Sequence, residues 1–391
     1  MAFIDKIKRP RVIIAVCAAV VVLLILFSLL TLLLSGLFGN NRLMWIKSIG
    51  GWGDDFFYSV VQTSDGGFVA VGSSDSNDGD IPGNRGLEDA IIAKFTENGD
   101  LVWIESVGGS DSDYFNVVIQ TSGGELVAVG GSVSNDGDIP GNKGSTDAII
   151  AKFNQDGRLV WIRNVGGSDD EYFNAVIQTS GGEFVAVGGS VSNDGDIPGN
   201  KGSGDAIIAK FNEDGELVWI KNVGGSSSDI FYSVSLAQDS GFVAAGYSWS
   251  YDGDISGNKG IRDAIIAMFA EDGDLLWTKN VGGSDVDEFY SVTLAQDSGF
   301  VAVGISSSND FDILGNKGNS LSIDAIIAKF NKDGELVWIK NVGGRGVDGF
   351  NSVALTSDGG LVAVGVSSSN DGDIPGNKGS GDAIIALFNE Q

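Results

Sequence analysis

DAIIAKFNQDGRLVW occupies Asp147–Trp161, and DAIIAKFNEDGELVW occupies Asp205–Trp219. The closing tryptophan recurs at Trp45, Trp103, Trp161, Trp219, Trp277 and Trp338, in steps of 58, 58, 58, 58 and 61 residues. Self-similarity at a fixed period marks a repeat architecture, in which each unit covers its apolar faces with its neighbours. One repeat reads as four short strands. YFNVVIQT (114–121) and ELVAVGGS (125–132) flank a tight SGG turn. A long loop, VSNDGDIPGNKGSTD (133–147), carries Asp-Gly and Pro-Gly turn signals. AIIAKF (148–153) and LVWIRNV (159–165) flank an NQDG turn. Hairpin logic makes all four antiparallel.

The strands AIIA and VAVG are apolar on both faces, so both faces expect cover. The expected fold is therefore all-β: a six-bladed β-propeller of four-stranded antiparallel blades, preceded by one transmembrane helix. The body opens on a lone fourth strand, RLMWIKSI (42–49), and ends on a lone set of three strands finishing at AIIALF (383–388). Six tryptophan strands and six three-strand sets would close a ring with no open edge.

The chain has 391 residues, 59 of them glycine and 5 proline, and 42% hydrophobic residues, a turn-rich composition with enough apolar content for a core. Net charge is −28. The first 41 residues hold four cations and one anion, leaving 20 Lys and Arg against 51 Asp and Glu, a balance of −31 in the remainder. Such a body repels nucleic acid and suits metal cations or basic partners. There is no histidine, and the only cysteine is Cys17 in the N-terminal apolar run. A Ser-His-Asp triad, a Cys/His zinc site and a disulfide framework are thereby excluded from the body.

Lys6, Lys8, Arg9 and Arg11 precede an apolar run, Val12–Phe38. As a helix that run is about 40 Å long, against roughly 30 Å of hydrocarbon. It is too long for the hydrophobic region of a cleaved signal peptide and lacks a small-x-small site. The expectation is a cytoplasmic basic tail over 1–11, an uncleaved signal anchor over 12–38 and an extracellular ectodomain over 42–391, oriented by the cationic flank. The protein is then a single-pass cell-membrane protein.

The series GGSDSDYFNVVIQTSGGELVAVGGSVSNDGDIP (108–140) followed by DAIIAKFNQDGRLV (147–160) resembles the bacterial SBBP-type β-propeller repeat. The resemblance covers residues 45–391. It implies seven blades where six copies are counted, an extracellular surface-attached protein, and no catalytic residues. N-x-D-G-x-L-V-W is also similar to the Asp-box turn of sialidases and to the tryptophan turn of quinoprotein propellers, both structural turns. Sialidase chemistry needs an arginine cluster, whereas Arg42, Arg85, Arg158, Arg163, Arg262 and Arg345 sit at scattered repeat phases.

In a propeller the interblade loops and the second-to-third-strand loops share one face. Here both are acidic, and the face would point away from the membrane. The long loops supply Asp78, Asp80, Asp136, Asp138, Asp194, Asp196, Asp252, Asp254, Asp310, Asp312, Asp371 and Asp373. The interblade loops supply Asp54, Asp55, Asp111, Asp113, Asp169, Asp170, Asp229, Asp285, Asp287 and Asp348. Closely spaced Asp and Asn oxygens beside a glycine suit Ca2+, which takes about 6–8 oxygen ligands. The N-D-G-D pattern lacks a distal bidentate Glu, and the competing reading is of turn formers with solvated charge.

The fourth repeat departs from the others. It reads Tyr247-Ser-Trp249-Ser-Tyr251, where i, i+2 and i+4 share one side of an extended segment. Those aromatics offer a stacking platform for a sugar or a protein ligand, against the plainer reading of local packing. The fifth repeat has Phe311 in place of glycine and an insertion near 319–323. Three functions follow: a non-catalytic binding or adhesion scaffold, a carboxylate-dependent cell-surface carbohydrate-active enzyme, and a structural surface-layer subunit. Every prominent carboxylate recurs in most repeats, which disfavours the unique acid–base pair that an enzyme needs.

Overall fold

A computed structural model describes residues 44–238, 241–317 and 322–389. The chain divides into two compact units, Met1–Lys47 and Ser48–Gln391, and the second holds all the strands found among the described residues. The basic tail, the anchor over 12–38 and Cys17 lie outside the described residues. Among the described residues no helix is long and apolar enough to cross a membrane.

Six antiparallel sheets follow one another, each with its strands in sequence order. The second is typical: Asp113–Gln120, Leu126–Ser132, Asp147–Phe153 and Leu159–Val165. In this sheet the second and third strands are buried on both faces, as their unbroken apolar runs require. Each first strand carries a bulge opposite the second strand, as where the register shifts between Phe115 and Val117. A phenylalanine of the first strand meets one of the third edge-on in every sheet, for instance Phe173 and Phe211 with centroids 5.9 Å apart. Such pairs contribute about 1 kcal/mol beyond their burial.

Sheets stack in chain order, and three devices recur between neighbouring sheets, the bridge at all five junctions and the others at some of them. Single parallel bridges link the entrance of a third strand to the next first strand, as Thr146 to Asp170 and Gly204 to Ser228. Asn116 and Asn174 donate from Nδ2 to the carbonyls of Phe173 and Phe231 in the following sheet, each at 2.9 Å. The repeating tryptophan covers the tight turn of the next sheet. A Cβ at Gly157 would lie 2.7 Å from the Trp103 ring, and Gly157 has φ +83°. Glycine is thus demanded there twice, by backbone and by ring.

The expectation of six four-stranded blades in a closed ring is corrected at the seam. Five sheets have four strands, but the sixth has three, Asp348–Leu355, Gly360–Ser367 and Asp382–Asn389. Residues 44–49 form no strand. The DAIIA strand, buried in the other sheets, alternates in the sixth, with Ile385 74% and Leu387 72% exposed. Phe56, Phe57, Tyr58 and Val60 of the first strand, Asp55–Gln62, are exposed at the other end.

Candidate binding site at the junction of the fourth and fifth blades

The acidic residues sort by what they bind. From the second sheet onward, the acid that opens each first strand is buried and structural. Asp113 accepts the Gly109 N–H at 2.9 Å and the Ser134 hydroxyl at 2.8 Å, and also takes the Ser132 hydroxyl. Glu171, Asp229, Asp287 and Asp348 repeat the arrangement. This corrects the expectation that Asp113, Asp229, Asp287 and Asp348 belong to a solvated loop: they begin strands and are fully enclosed. Reading the strand from Tyr114 misplaced its start by one residue.

The twelve long-loop aspartates have two jobs. The first of each pair accepts a backbone N–H of the preceding interblade loop. Asp136, Asp194, Asp252 and Asp310 take those of Ser110, Ser168, Ser226 and Ser284 at 2.7–2.8 Å. Asp78 and Asp371 take those of Trp52 and Arg345. The second of each pair, from the second repeat onward, meets a cation from the repeat before. Lys143 reaches Asp196 at 3.0 Å, Lys201 reaches Asp254 at 3.0 Å, and Lys259 reaches Asp312 at 2.9 Å. Arg85–Asp138 and Lys317–Asp373 complete the series. Asp80, with no repeat before it, accepts the Gly50 N–H at 3.3 Å. Among the described residues no group of three or more acidic side chains converges to hold a metal ion.

The aspartate that opens the third strand in each of the first five sheets makes a second buried series. A Cβ on Gly282 would lie 2.6 Å from Asp263 and 2.8 Å from Asp287, so the two carboxyls close on one glycine at the junction. Asp89, Asp205, Asp263 and Asp324 each leave Oδ1 without a hydrogen-bond partner. Burial pushes the carboxyls of Asp89, Asp263 and Asp324 up to about 6, and those of Asp147 and Asp205 in the same direction.

Against this repetition one junction differs. Tyr247 belongs to Phe242–Ser248 and turns inward, 8% exposed, against Tyr232, which in turn meets Tyr290 edge-on at 5.5 Å. The Arg262 guanidinium lies 4.6 Å from the Tyr247 ring and 5.5 Å from the Trp249 ring. It also pairs with Glu288 of the next sheet, which is 5% exposed. The Arg262 Nε–H has no acceptor. Burial raises the Tyr247, Tyr232 and Tyr290 hydroxyls, so these rings stay neutral. Trp249 leaves its strand half exposed, at 43%, with its N–H donating to the Ser228 carbonyl. Tyr251 folds back to donate to the Gly260 carbonyl.

So the three aromatics do not form one platform. Trp249 is the outward ring, Tyr247 is its buried support, and Tyr251 braces the loop. Sequence reasoning missed Arg262 and Glu288. Their signal was present: Glu88, Thr146, Gly204, Ile323 and Gly381 hold the arginine's place in other repeats, and Phe56, Tyr114, Tyr172, Ile230 and Gly349 hold the glutamate's. Phe311 is exposed at φ +51°, and the insertion beside it lies mostly outside the described residues.

No protein-family model matches the chain. It is 29% identical over 188 residues to the regulatory protein FlaEY of Caulobacter vibrioides, covering 44% of this chain and 19% of that protein. It is 25% identical over 243 residues to an uncharacterized protein of Aquifex aeolicus, covering 62% of this chain and 57% of that protein. The chain thus spans less than two thirds of these curated relatives. Similar solved structures include the WD40 β-propeller domain of Doa1, at TM-score 0.38 and 13% identity over 88% of this chain and 96% of that one. A gluconolactonase from Xanthomonas campestris scores 0.39 at 9% identity over 87% and 86%. An α-L-arabinofuranosidase from Fusarium graminearum scores 0.43 at 10% identity over 86% and 97%. Catalytic and non-catalytic proteins both stand among them, and at these scores no function follows.

Proposed function

We propose that the chain is a membrane-anchored, extracellular binding scaffold without catalysis, and that it takes a glycan at the junction of its fourth and fifth blades. The observation that carries this reading is the half-exposed Trp249 ring, with the Arg262 guanidinium 5.5 Å from its centre. A flat ring accepts the C–H face of a sugar, and an adjacent guanidinium donates to a sugar hydroxyl oxygen. Glu288 and the tyrosines hold the guanidinium still, so little ordering is lost on binding. The repeated carboxylates support the non-catalytic side of the reading, because the long-loop aspartates and the acids that open the first strands join strands or blades. The N-terminal anchor and the exclusion of nucleic acid rest on the cationic flank and on the acidic body.

Trp249→Ala in the full chain is expected to lower glycan-array binding at least tenfold while the melting temperature moves by about 1 °C or less. A matching fall in the melt would make Trp249 a packing residue. Binding that shifts from glycans to a basic protein would replace the ligand class.

Calcium is tested separately. With the long-loop aspartates already holding N–H groups and cations, millimolar calcium and chelator are expected to give the same melt. A rise of several degrees with calcium, by mass action on the folded state, would return the ion to Asp136, Asp138 and their equivalents.

A further inference from the structure

The first strand of a sheet ends beside the tight turn of the sheet before, and at the first two junctions a glutamine bridges them. Gln120 Oε1 accepts the Ser64 N–H and Gln178 Oε1 accepts the Ser122 N–H, each at 2.8 Å. The same side chains donate from Nε2 to turn carbonyls of their own sheets, Gly124 at 3.2 Å and Gly182 at 3.3 Å. Later in the chain the first strand ends on leucine, at Leu236, Leu294 and Leu355, and a glutamine stands in the preceding turn instead, at Gln238 and Gln296. Gln296 again crosses to the next sheet: a Cβ on Gly359 would lie 2.5 Å from its Nε2. The change from one pattern to the other falls between the third and fourth sheets. There the turn has Ser180 where Gln238 and Gln296 stand later, and the strand Asp229–Leu236 ends on leucine where Gln120 and Gln178 stand earlier. This junction has a glutamine at neither position.

The consequence is a cavity. Between the first and second sheets, the space beside Ser64 and Gln120 measures about 60 Å³. The equivalent space beside Ser180 and Leu236 measures about 220 Å³. Leu236, Ala237 and Phe242 give it an apolar lining, and Thr179, Ser180, Glu183 and Glu271 a polar one. Glu183 is engaged by Lys210 at 2.7 Å, whereas the Glu271 side chain is 65% exposed and only grazes that ammonium at 3.9 Å. Leucine offers the Ser180 N–H no acceptor. The turn itself is unchanged, since 178–183 repeats the QTSGGE of 120–125. Yet Thr121 Oγ1 accepts the Glu125 N–H at 3.1 Å, and Thr179 Oγ1 has no hydrogen-bond partner.

We propose that this cavity binds the acetamido group of an N-acetylated sugar. The group that fills this place at the two earlier junctions is a carboxamide, and the ligand supplies another. Its carbonyl oxygen accepts the Ser180 N–H, as Gln120 and Gln178 accept those of Ser64 and Ser122. Its methyl group covers the apolar lining that leucine and phenylalanine provide. The exposed Glu271 carboxylate accepts a sugar hydroxyl. An apolar concavity with a few placed polar groups is the usual form of a small-ligand site. Neither Trp249 nor Arg262 lines this cavity, so it stands or falls apart from the site between the fourth and fifth blades.

The test is calorimetric titration of the full chain in detergent, carrying Trp249→Ala so that the other site is silent. N-acetylglucosamine is expected to bind at millimolar concentration, and glucose, which lacks the acetamido group, about tenfold more weakly or less. Adding Leu236→Gln places the repeat's own carboxamide in the cavity. It is expected to lower N-acetylglucosamine binding about tenfold or more while the melting temperature holds or rises. Equal binding of the two sugars, binding of neither, or undiminished binding by the Leu236→Gln chain would each overturn the proposal. A glutamine-bearing peptide that binds in place of the sugar would overturn it too. Should Leu236→Gln misfold, a crystal of the unaltered chain soaked in N-acetylglucosamine decides. An acetamido group seated between Ser180 and Leu236 supports the site, and its absence there refutes it.

Discussion

Gly188→Ala is expected to cost about 3 kcal/mol, with the neighbouring Gly189→Ala close to neutral. Both glycines lie in Phe184–Ser190, and neither needs a positive φ. The difference is what a methyl group would meet. At Gly188 an added Cβ falls 1.8 Å from the Tyr172 carbonyl oxygen and 3.0 Å from the Phe173 Cα, at the bulge where the register shifts between Val187 and Gly188. Both obstacles are backbone of a hydrogen-bonded strand, so neither moves without opening the ladder. At Gly189 the nearest atom is the Tyr172 hydroxyl at 3.1 Å, the far end of a side chain. Other repeats already place Ser73, Tyr247, Ile305 and Val366 at that position. Gly72, Gly130, Gly246, Gly304 and Gly365 repeat the close approach, each with an added Cβ 1.9 Å from a carbonyl oxygen. Urea unfolding of the two variants side by side checks the pair, and equal losses would remove the bulge argument.

The same glycine shows what the sequence could tell. VAVG at a fixed phase marks a buried second strand, and the glycine's invariance among copies signals a close approach without saying to what. Strand order, hairpin turns and the covering tryptophans were legible for the same reason: each is a local pattern repeated often enough to be recognised. Depth was less legible. Asp113 and Asp263 look like turn aspartates in the sequence, because solvated and enclosed carboxylates share the same Asp-rich context. Asp113 is held by a serine pair 19 and 21 residues on, and Asp263 by Lys259, four residues before it. The distinctive junction was half visible. Tyr247 and Trp249 stood out as aromatics, but Arg262 and Glu288 are ordinary surface residue types. Their meaning comes only from lying across one interface.

Acidification from pH 8 to pH 5 is expected to raise the melting temperature, by about 5–10 °C, which is the reverse of ordinary acid destabilisation. Burial holds the Asp89, Asp263 and Asp324 carboxyls at about 6 in the folded chain, against an ordinary value near 3.8. The folded state therefore binds protons that the unfolded state does not, throughout the interval between those values. Stability rises as pH falls through about 6, and the gain is complete below the unfolded value. The groups facing Asp263 are Lys259, 3.6 Å away, and Asp287, whose charge adds to the upward push. Carboxyls held low, such as Asp65 by Lys94, act in the opposite sense, but only as pH falls below their ordinary range. Protonation also relieves a body of strongly negative charge in the same direction. Asp263→Asn keeps an acceptor for the Lys259 N–H and removes the charge whose burial is opposed. It is expected to stabilise the chain by about 1–2 kcal/mol at pH 8 and to leave it unchanged near pH 4. The slope of melting temperature against pH should flatten by the share of one of the raised carboxyls. A variant that melts lower than the parent at pH 8 would mean that Lys259 requires the charge. The carboxyl pair at Gly282 would then be an ion-pair anchor rather than a proton store.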